Sequence, residues 1–323
     1  MKRKTDLYKD ICKIENIISS YKEVRKNTRN KRRVESMKEY KALYISRVYN
    51  DLINHRYVPG SYNKFIIYEP KKRLIVSQNI HDKIINHLVA RHILYPSILP
   101  CLLDINVASR KDMGTSKGLN YALKFHEICK VKYNNYYILK CDISKFFASI
   151  DHNLLKEKLK RRLKDKDALK IVFDIIDSNT DGLFIGCMTN QILAIFYLND
   201  MDHFIKETLK IKYYIRYQDD FLLFHPSKKY LQYCLSEIKK FLEREKLSLN
   251  DKTRIYKNTN NFLFLGRNCT GKYARYRNVK RKLKNRYYLY KNDKLSLDSL
   301  ASSLICYKGL CNKDHIINLK NNF

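Results

Sequence analysis

Apolar and polar positions alternate along two short stretches, and the strands they predict organise the chain. Tyr214-Ile215-Arg216-Tyr217-Gln218-Asp219-Asp220-Phe221-Leu222-Leu223-Phe224 reads as a β-hairpin with two adjacent carboxylates at its turn. That turn lacks the usual Asn-Gly or Asp-Gly chemistry, so something other than turn propensity keeps the acids there. Residues 136–141 form a second apolar strand, which ends in Asp142 and is followed by Phe146-Phe147. Elsewhere the period is helical. Tyr8, Ile11, Ile14 and Ile17-Ile18 predict an amphipathic helix, and residues 40–52 a second one, ended by Pro59-Gly60. Residues 62–68 alternate as a strand, 69–73 make a turn, and 74–76 return. A polar, glycine-bearing loop over 106–118 precedes a helix from about Leu119, and 295–307 reads as a closing helix.

Composition sharpens this outline. The 323 residues are 45% hydrophobic, enough for a globular chain of two or three subdomains. A formal net charge of +33 implies a polyanionic partner, most simply nucleic acid. The rival is an anionic membrane. Against it, no apolar run approaches the ~20 residues of a membrane span and no signal peptide opens the chain. The nine cysteines include no CxxC pair, which suggests reduced thiols in a cytosolic protein. The basic cluster over 25–33 is either a solvated loop or a phosphate contact on RNA. His81, His87 and His92 are irregularly spaced and read as ordinary helix or surface histidines rather than metal ligands.

The acids carry the candidate chemistry. Two carboxylates near one point repel unless a cation sits between them, and Mg²⁺ takes hard oxygen ligands, few of them from protein. An isolated Asp-Asp pair is more simply a solvated turn. A second acidic strand end, Asp142, changes that, because three such acids can hold two Mg²⁺ ions in the arrangement that serves phosphoryl transfer.

An apolar strand ending in Asp142, then Phe146-Phe147, then the Tyr217-Gln218-Asp219-Asp220 hairpin resembles the palm of reverse transcriptases. The resemblance implies an α+β right-hand polymerase. It would have an N-terminal helical extension (1–60), fingers (61–135), a palm on an antiparallel sheet (136–270, with a fingers-like insertion at about 153–183) and a basic helical thumb (271–323). It implies that Asp142, Asp219 and Asp220 are catalytic and bind metal, with the Ile143 carbonyl as a further ligand. Lys71 and Arg73 of the fingers hairpin would close over the triphosphate, where ammonium and guanidinium groups neutralise charge. Arg110 would contact template or nucleotide, and Lys252 would be the general acid for the leaving pyrophosphate. Phe147, five residues past Asp142, would exclude a ribose 2′-OH. Tyr217 would pack under the primer end, and Phe264 and Gly266 would belong to a primer grip. Arg275, Lys280 and Lys284 would grip duplex phosphates.

Residues 185–199 sharpen the resemblance. Ile185 stands where most reverse transcriptases have Gln, and Asn190-Gln191 where they have Ser-Pro. This looks like the enzymes of diversity-generating retroelements, which copy a template RNA and misincorporate at adenines; Gln191 would lie near the nucleotide. The compact form also resembles reverse transcriptases of antiphage defence. The implied cofactor is a pair of Mg²⁺ ions, with Mn²⁺ as a substitute. Implied partners are template RNA, the RNA–DNA hybrid, dNTPs, and a small basic accessory protein or a second defence or retroelement subunit. A cytoplasmic protein of bacterial or phage origin is expected, with no RNase H or endonuclease region. A non-catalytic RNA-binding protein on a polymerase scaffold is the alternative of another class.

Overall fold

The computed structural model describes residues 5–60, 62–67, 73–270, 273–276 and 279–308. The N-terminal period expected as one helix is broken in two. α1 (Leu7–Cys12) and α2 (Ile14–Asn27) are separated by Lys13, whose backbone is extended. The break lets both segments turn their apolar faces inward, and Ile11, Ile17 and Tyr21 are fully buried. Asn30 caps α3 (Lys31–Glu39) by accepting from the Arg33 N–H, so the basic cluster over 25–33 spans the end of α2 and the start of α3. α4 (Lys41–Ile53) follows, then an antiparallel hairpin of β1 (Asn63–Ile67) and β2 (Arg73–Ser77), whose turn lies outside the described residues. α5 (Ile80–Leu88) packs on α2 and runs through a π-helical turn into α6 (Tyr95–Ile98); α7 (Thr115–Tyr133) comes next.

β3 (Tyr137–Asp142) leads into α8 (His152–Lys160), α9 (Lys166–Asp177), α10 (Met188–Tyr197) and α11 (Asn199–His203). β4 (Tyr213–Tyr217), β5 (Asp220–His225), α12 (Lys228–Arg244) and β6 (Arg254–Lys257) complete this region. Among the described residues the central sheet has four strands in the order β4-β5-β3-β6, all antiparallel. Both its faces are covered, which is why its strands read as apolar runs rather than strict alternations. Leu139, Cys141, Phe221 and Leu223 join the larger core cluster with residues of α10 to α12, while Ile138, Leu222 and Phe224 join a second cluster with residues of α7. Each fully buried side chain of this kind contributes about 1.5–3 kcal/mol.

β7 (Phe262–Phe264), β8 (Arg267–Thr270) and β9 (Tyr273–Tyr276) form a separate antiparallel sheet. Residues 273–276 therefore form a strand where the basic segment had been expected to be helical. Two tyrosines in four residues favour a strand, and the segment pairs with the open edge of β8. The basic helix begins later, as α13 (Val279–Lys291), and is followed by α14 (Leu297–Lys308). Among the described residues no helix is long and apolar enough to cross a membrane.

Candidate active site

Register brings the acids together. β3 and β5 pair so that Asp142 lies directly opposite Asp220, and Tyr217 of β4 lies opposite Asp220 on its other side. Side chains alternate along a strand, so Lys140, Asp142, Asp220 and Tyr217 share the face that carries Ile138 and Leu222. Asp219 occupies the turn, and its carbonyl accepts from the Ile143 N–H at 3.2 Å. The backbone continuing from Asp142 is also held from the β6 side: the Asn250 N–H donates to the Asp142 carbonyl at 2.7 Å, and the Ser144 N–H donates to that of Ser248 at 2.9 Å.

The turn itself is strained and propped. Gln218 has φ 54, a left-handed conformation uncommon outside glycine. Its side-chain amide donates to Ser109 Oγ at 2.9 Å, and its carbonyl accepts from Arg216 Nη1 at 2.9 Å. The polar loop expected before α7 thus docks onto the hairpin, an attachment reinforced by the Val107 N–H donating to the Arg216 carbonyl and the Arg216 N–H donating to that of Ile105. Arg216 points to the opposite face. There Asp202 of α11 accepts from its guanidinium on both carboxylate oxygens and also accepts from the Tyr214 hydroxyl.

Lys140 Nζ is the cation set against this acidic site. Burial pushes the Asp220 carboxyl up to about 7, with the Lys140 ammonium pulling it down and the Asp142 charge adding to the rise. Asp220 Oδ1 is buried without a hydrogen-bond partner; Lys140 Nζ stands 3.6 Å from it. Among the described residues Oδ2 receives a long 3.5 Å contact from the Leu265 N–H of the β7–β8 turn. A shielded carboxylate oxygen with no donor, beside two further acids, fits a hard divalent cation. Among the described residues no three His, Cys, Asp or Glu side chains stand close enough to form a ligand group by themselves. Strand register and turn position make Asp142, Asp219 and Asp220 neighbours along the backbone, without a preformed ligand group.

Phe147 lies in a short 3₁₀ turn after Asp142, half-buried and edge-on to buried Phe146 at 5.6 Å. Its carbonyl accepts from the Leu183 N–H at 2.7 Å. Residues 183–187 form a pinned loop ahead of α10. The Val76 N–H of β2 donates to the Ile185 carbonyl, and a Cβ on Gly186 would stand 2.3 Å from the Val76 carbonyl oxygen. Asn190 is buried; its amide donates to Asn179 Oδ1 and to the Phe184 carbonyl. Gln191, next to it, is exposed.

The remaining expected residues scatter. Arg73 is exposed at the start of β2, and Lys71 lies outside the described residues. Arg110 directs its guanidinium into its own loop, donating to the Leu103 and Asn106 carbonyls. Lys252 is exposed in a turn, its N–H donating to Asn250 Oδ1, and so lies two residues from the backbone that holds Asp142. Phe264 is fully buried at the end of β7, and Leu265-Gly266 make the turn into β8. Arg275 lies on β9, and Lys280 and Lys284 lie on α13; Lys284 is exposed. Sequence reasoning passed over Lys140, Asp202 and the pairing role of Arg216. The signal available was a lone basic residue inside each apolar strand.

A family model described as reverse transcriptase (RNA-dependent DNA polymerase) matches residues 64–269, well over half of the chain. No curated protein matches it. Similar solved structures include apo telomerase from Candida tropicalis (TM-score 0.53, 14% identity, 79% of this chain and 57% of that one). A form of the C. tropicalis enzyme truncated from the C-terminal domain gives a TM-score of 0.52 at 15% identity, over 67% of this chain and 55% of that one. Candida albicans telomerase in complex with a TWJ fragment of telomeric RNA gives 0.52 at 15% identity, over 79% and 54%. The chain thus spans about half the length of these structures, and at such identity the likeness is one of fold.

Proposed function

The chain belongs to the reverse transcriptase family, an RNA-directed DNA polymerase family, and from that premise we propose that it extends a primer 3′-OH with dNTPs along a structured template RNA. The observation that carries this reading is the pairing of Asp142 with Asp220 across β3 and β5, with Asp219 in the adjoining turn. Asp142, Asp219 and Asp220, with the Ile143 carbonyl, are the residues that would hold Mg²⁺, or Mn²⁺ in its place. When bound, the ions would supply activation of the attacking hydroxyl and charge stabilisation at the departing pyrophosphate. Tyr217 supports the primer end from the shared face, and Lys252 donates the proton to the leaving pyrophosphate. Phe147 limits the sugar to a deoxyribose. The net charge of +33 suits an RNA template and an RNA–DNA product.

The biological use we propose is error-prone copying of the kind found in diversity-generating retroelements. Ile185 and Gln191 support it: they depart from the usual loop sequence in a segment hydrogen-bonded both to the fingers hairpin, through Val76, and to Phe147, through Leu183. Antiphage defence would use the same chemistry. Primer extension on an RNA template with dNTPs and Mg²⁺ tests the activity. Wild type extends and Asp219→Ala does not; retained extension in that variant would remove the site assignment. Sequencing the cDNA tests the use, because faithful copying of template adenines would exclude mutagenesis.

A further inference from the structure

We propose that Gly182, held by His152, is a positioning residue for Phe147 and so sets how strictly ribonucleotides are rejected. This rests on the reading of Phe147 as the sugar gate. Four observations converge. Gly182 has φ +56, and a Cβ there would stand 2.2 Å from the Phe147 carbonyl oxygen and 2.7 Å from Ala148 Cα. These are backbone atoms, which cannot swing aside as a side-chain tip can, so the backbone of 182 lies directly on the backbone of the gate. The next residue fixes the contact, since the Leu183 N–H donates to the Phe147 carbonyl at 2.7 Å. The Gly182 carbonyl accepts from His152 Nε2 at 2.6 Å. A carbonyl can only accept, so Nε2 carries the proton, and Nδ1 faces Asp177 at 3.6 Å. Finally, the segment cannot slide. Asn179 donates to the Ile175 and Ile176 carbonyls at the end of α9 and accepts from the Phe184 N–H on the far side of Gly182.

The consequence is specific. A gate excludes a hydroxyl only if its ring is fixed to within a fraction of an ångström, because discrimination here is steric and no hydrogen-bonding partner for the hydroxyl is required. Phe147 is half-buried at the edge of the core, so its ring position follows its backbone. Two elements far apart in sequence set that backbone: β3, which leads into it, and the 179–184 segment, which covers it. A side chain at 182 displaces the 147–148 backbone, and loss of the His152 hydrogen bond loosens the cover without adding bulk.

The test is single-nucleotide insertion on an RNA template with a DNA primer. The ratio of kcat/KM for dCTP to that for CTP is measured in wild type, Phe147→Ala, Gly182→Ala and His152→Ala. Phe147→Ala is expected to lower the ratio on the order of 100-fold, Gly182→Ala about tenfold and His152→Ala about threefold, as sub-ångström misplacement of a contact group implies. If Gly182→Ala does not fold, His152→Ala decides. A fall in the ratio with Phe147→Ala but not with the other two overturns the positioning role and leaves the gate intact. No change in any variant removes the gate and this inference with it. An equal loss of kcat/KM for both nucleotides in Gly182→Ala and His152→Ala reduces the pair to scaffold and also overturns the proposal.

Discussion

Arg216 and Asp202 form a two-pronged ion pair from which solvent is wholly excluded: Nε donates to Oδ1 at 2.7 Å and Nη2 to Oδ2, and neither side chain has any exposed surface. The same guanidinium donates to the Gln218 and Ile195 carbonyls. One side chain thus links the underside of the carboxylate turn to the end of α10 and to α11. A charge buried at this depth is tolerated because a carboxylate pairs with it and two carbonyls accept from it as well.

Arg216→Met leaves the Asp202 charge buried and uncompensated, and is expected to destabilise the protein by about 3–5 kcal/mol in a urea melt. Arg216→Lys cannot reproduce the fork and should lose primer extension before it loses the fold. A melting midpoint for Arg216→Met equal to wild type would show that the pair carries no stability.

The contrast between strands and pair marks what could be read from the sequence. The carboxylate hairpin, the strand ending in Asp142 and the fingers hairpin were legible because period-2 runs bounded by turns are local. The register that sets Asp142 against Asp220 is a non-local pairing. The two acidic strand ends suggest that the strands are neighbours, but no local pattern specifies the register. Arg216 was read as one more strand residue, since its partner lies in α11 and no local pattern links the two. Gly182 and Gly186 went unread as contacts for the same reason: the backbones they press against lie in the Phe147 turn and in β2. The strand over 273–276 is hidden by charge, which dominates a segment whose strand-favouring Tyr-Ala-Arg-Tyr stretch is only four residues long.

Gly186 supports a second prediction. It has φ +128, and a Cβ would collide with the Val76 carbonyl oxygen. Gly186→Ala is expected to cost about 1–3 kcal/mol through backbone strain and to raise the KM for dNTPs by parting the β1–β2 hairpin from the loop before α10. Unchanged stability and KM would mean that the two segments separate freely.

Divalent metal should bind the substrate-free protein. The thermal midpoint is expected to rise with Mg²⁺ or Ca²⁺, because a ligand of the folded state alone stabilises it in proportion to the logarithm of its concentration. Asp142→Asn and Asp220→Asn should abolish the rise while Lys252→Gln retains it. A rise of equal size in Asp220→Asn would place the metal elsewhere.

His126 contributes to the pH dependence of stability. It is buried against Tyr136, and desolvation holds its imidazole below the ordinary value, with the Lys130 charge acting in the same direction. Between its folded pKa and 6.5 the unfolded chain binds the proton and the folded chain does not, so stability rises with pH across that window. The contribution is fully present above the unfolded pKa and is lost as pH falls through the folded one. Chemical melts at pH 5 and pH 7.5 should show a smaller pH difference in His126→Gln than in wild type; an unchanged difference would assign the dependence to other groups.

The prediction for α13 separates phosphate contact from mere surface charge. On α13, Leu283 is buried while Arg281, Lys284 and Tyr288 are exposed, spaced three to four residues apart and therefore on one side of the helix. Two cations with an aromatic on one face suit a duplex backbone, and such contact is indifferent to sequence. Each phosphate neutralised releases condensed counterions, so log K for an RNA–DNA hybrid falls linearly with log salt, with a slope set by the number of contacts. Arg281→Gln/Lys284→Gln should make that slope shallower by about 2 and weaken binding equally on unrelated hybrid sequences. An unchanged slope would mean that this face meets solvent, and a sequence-dependent loss would mean that it meets bases.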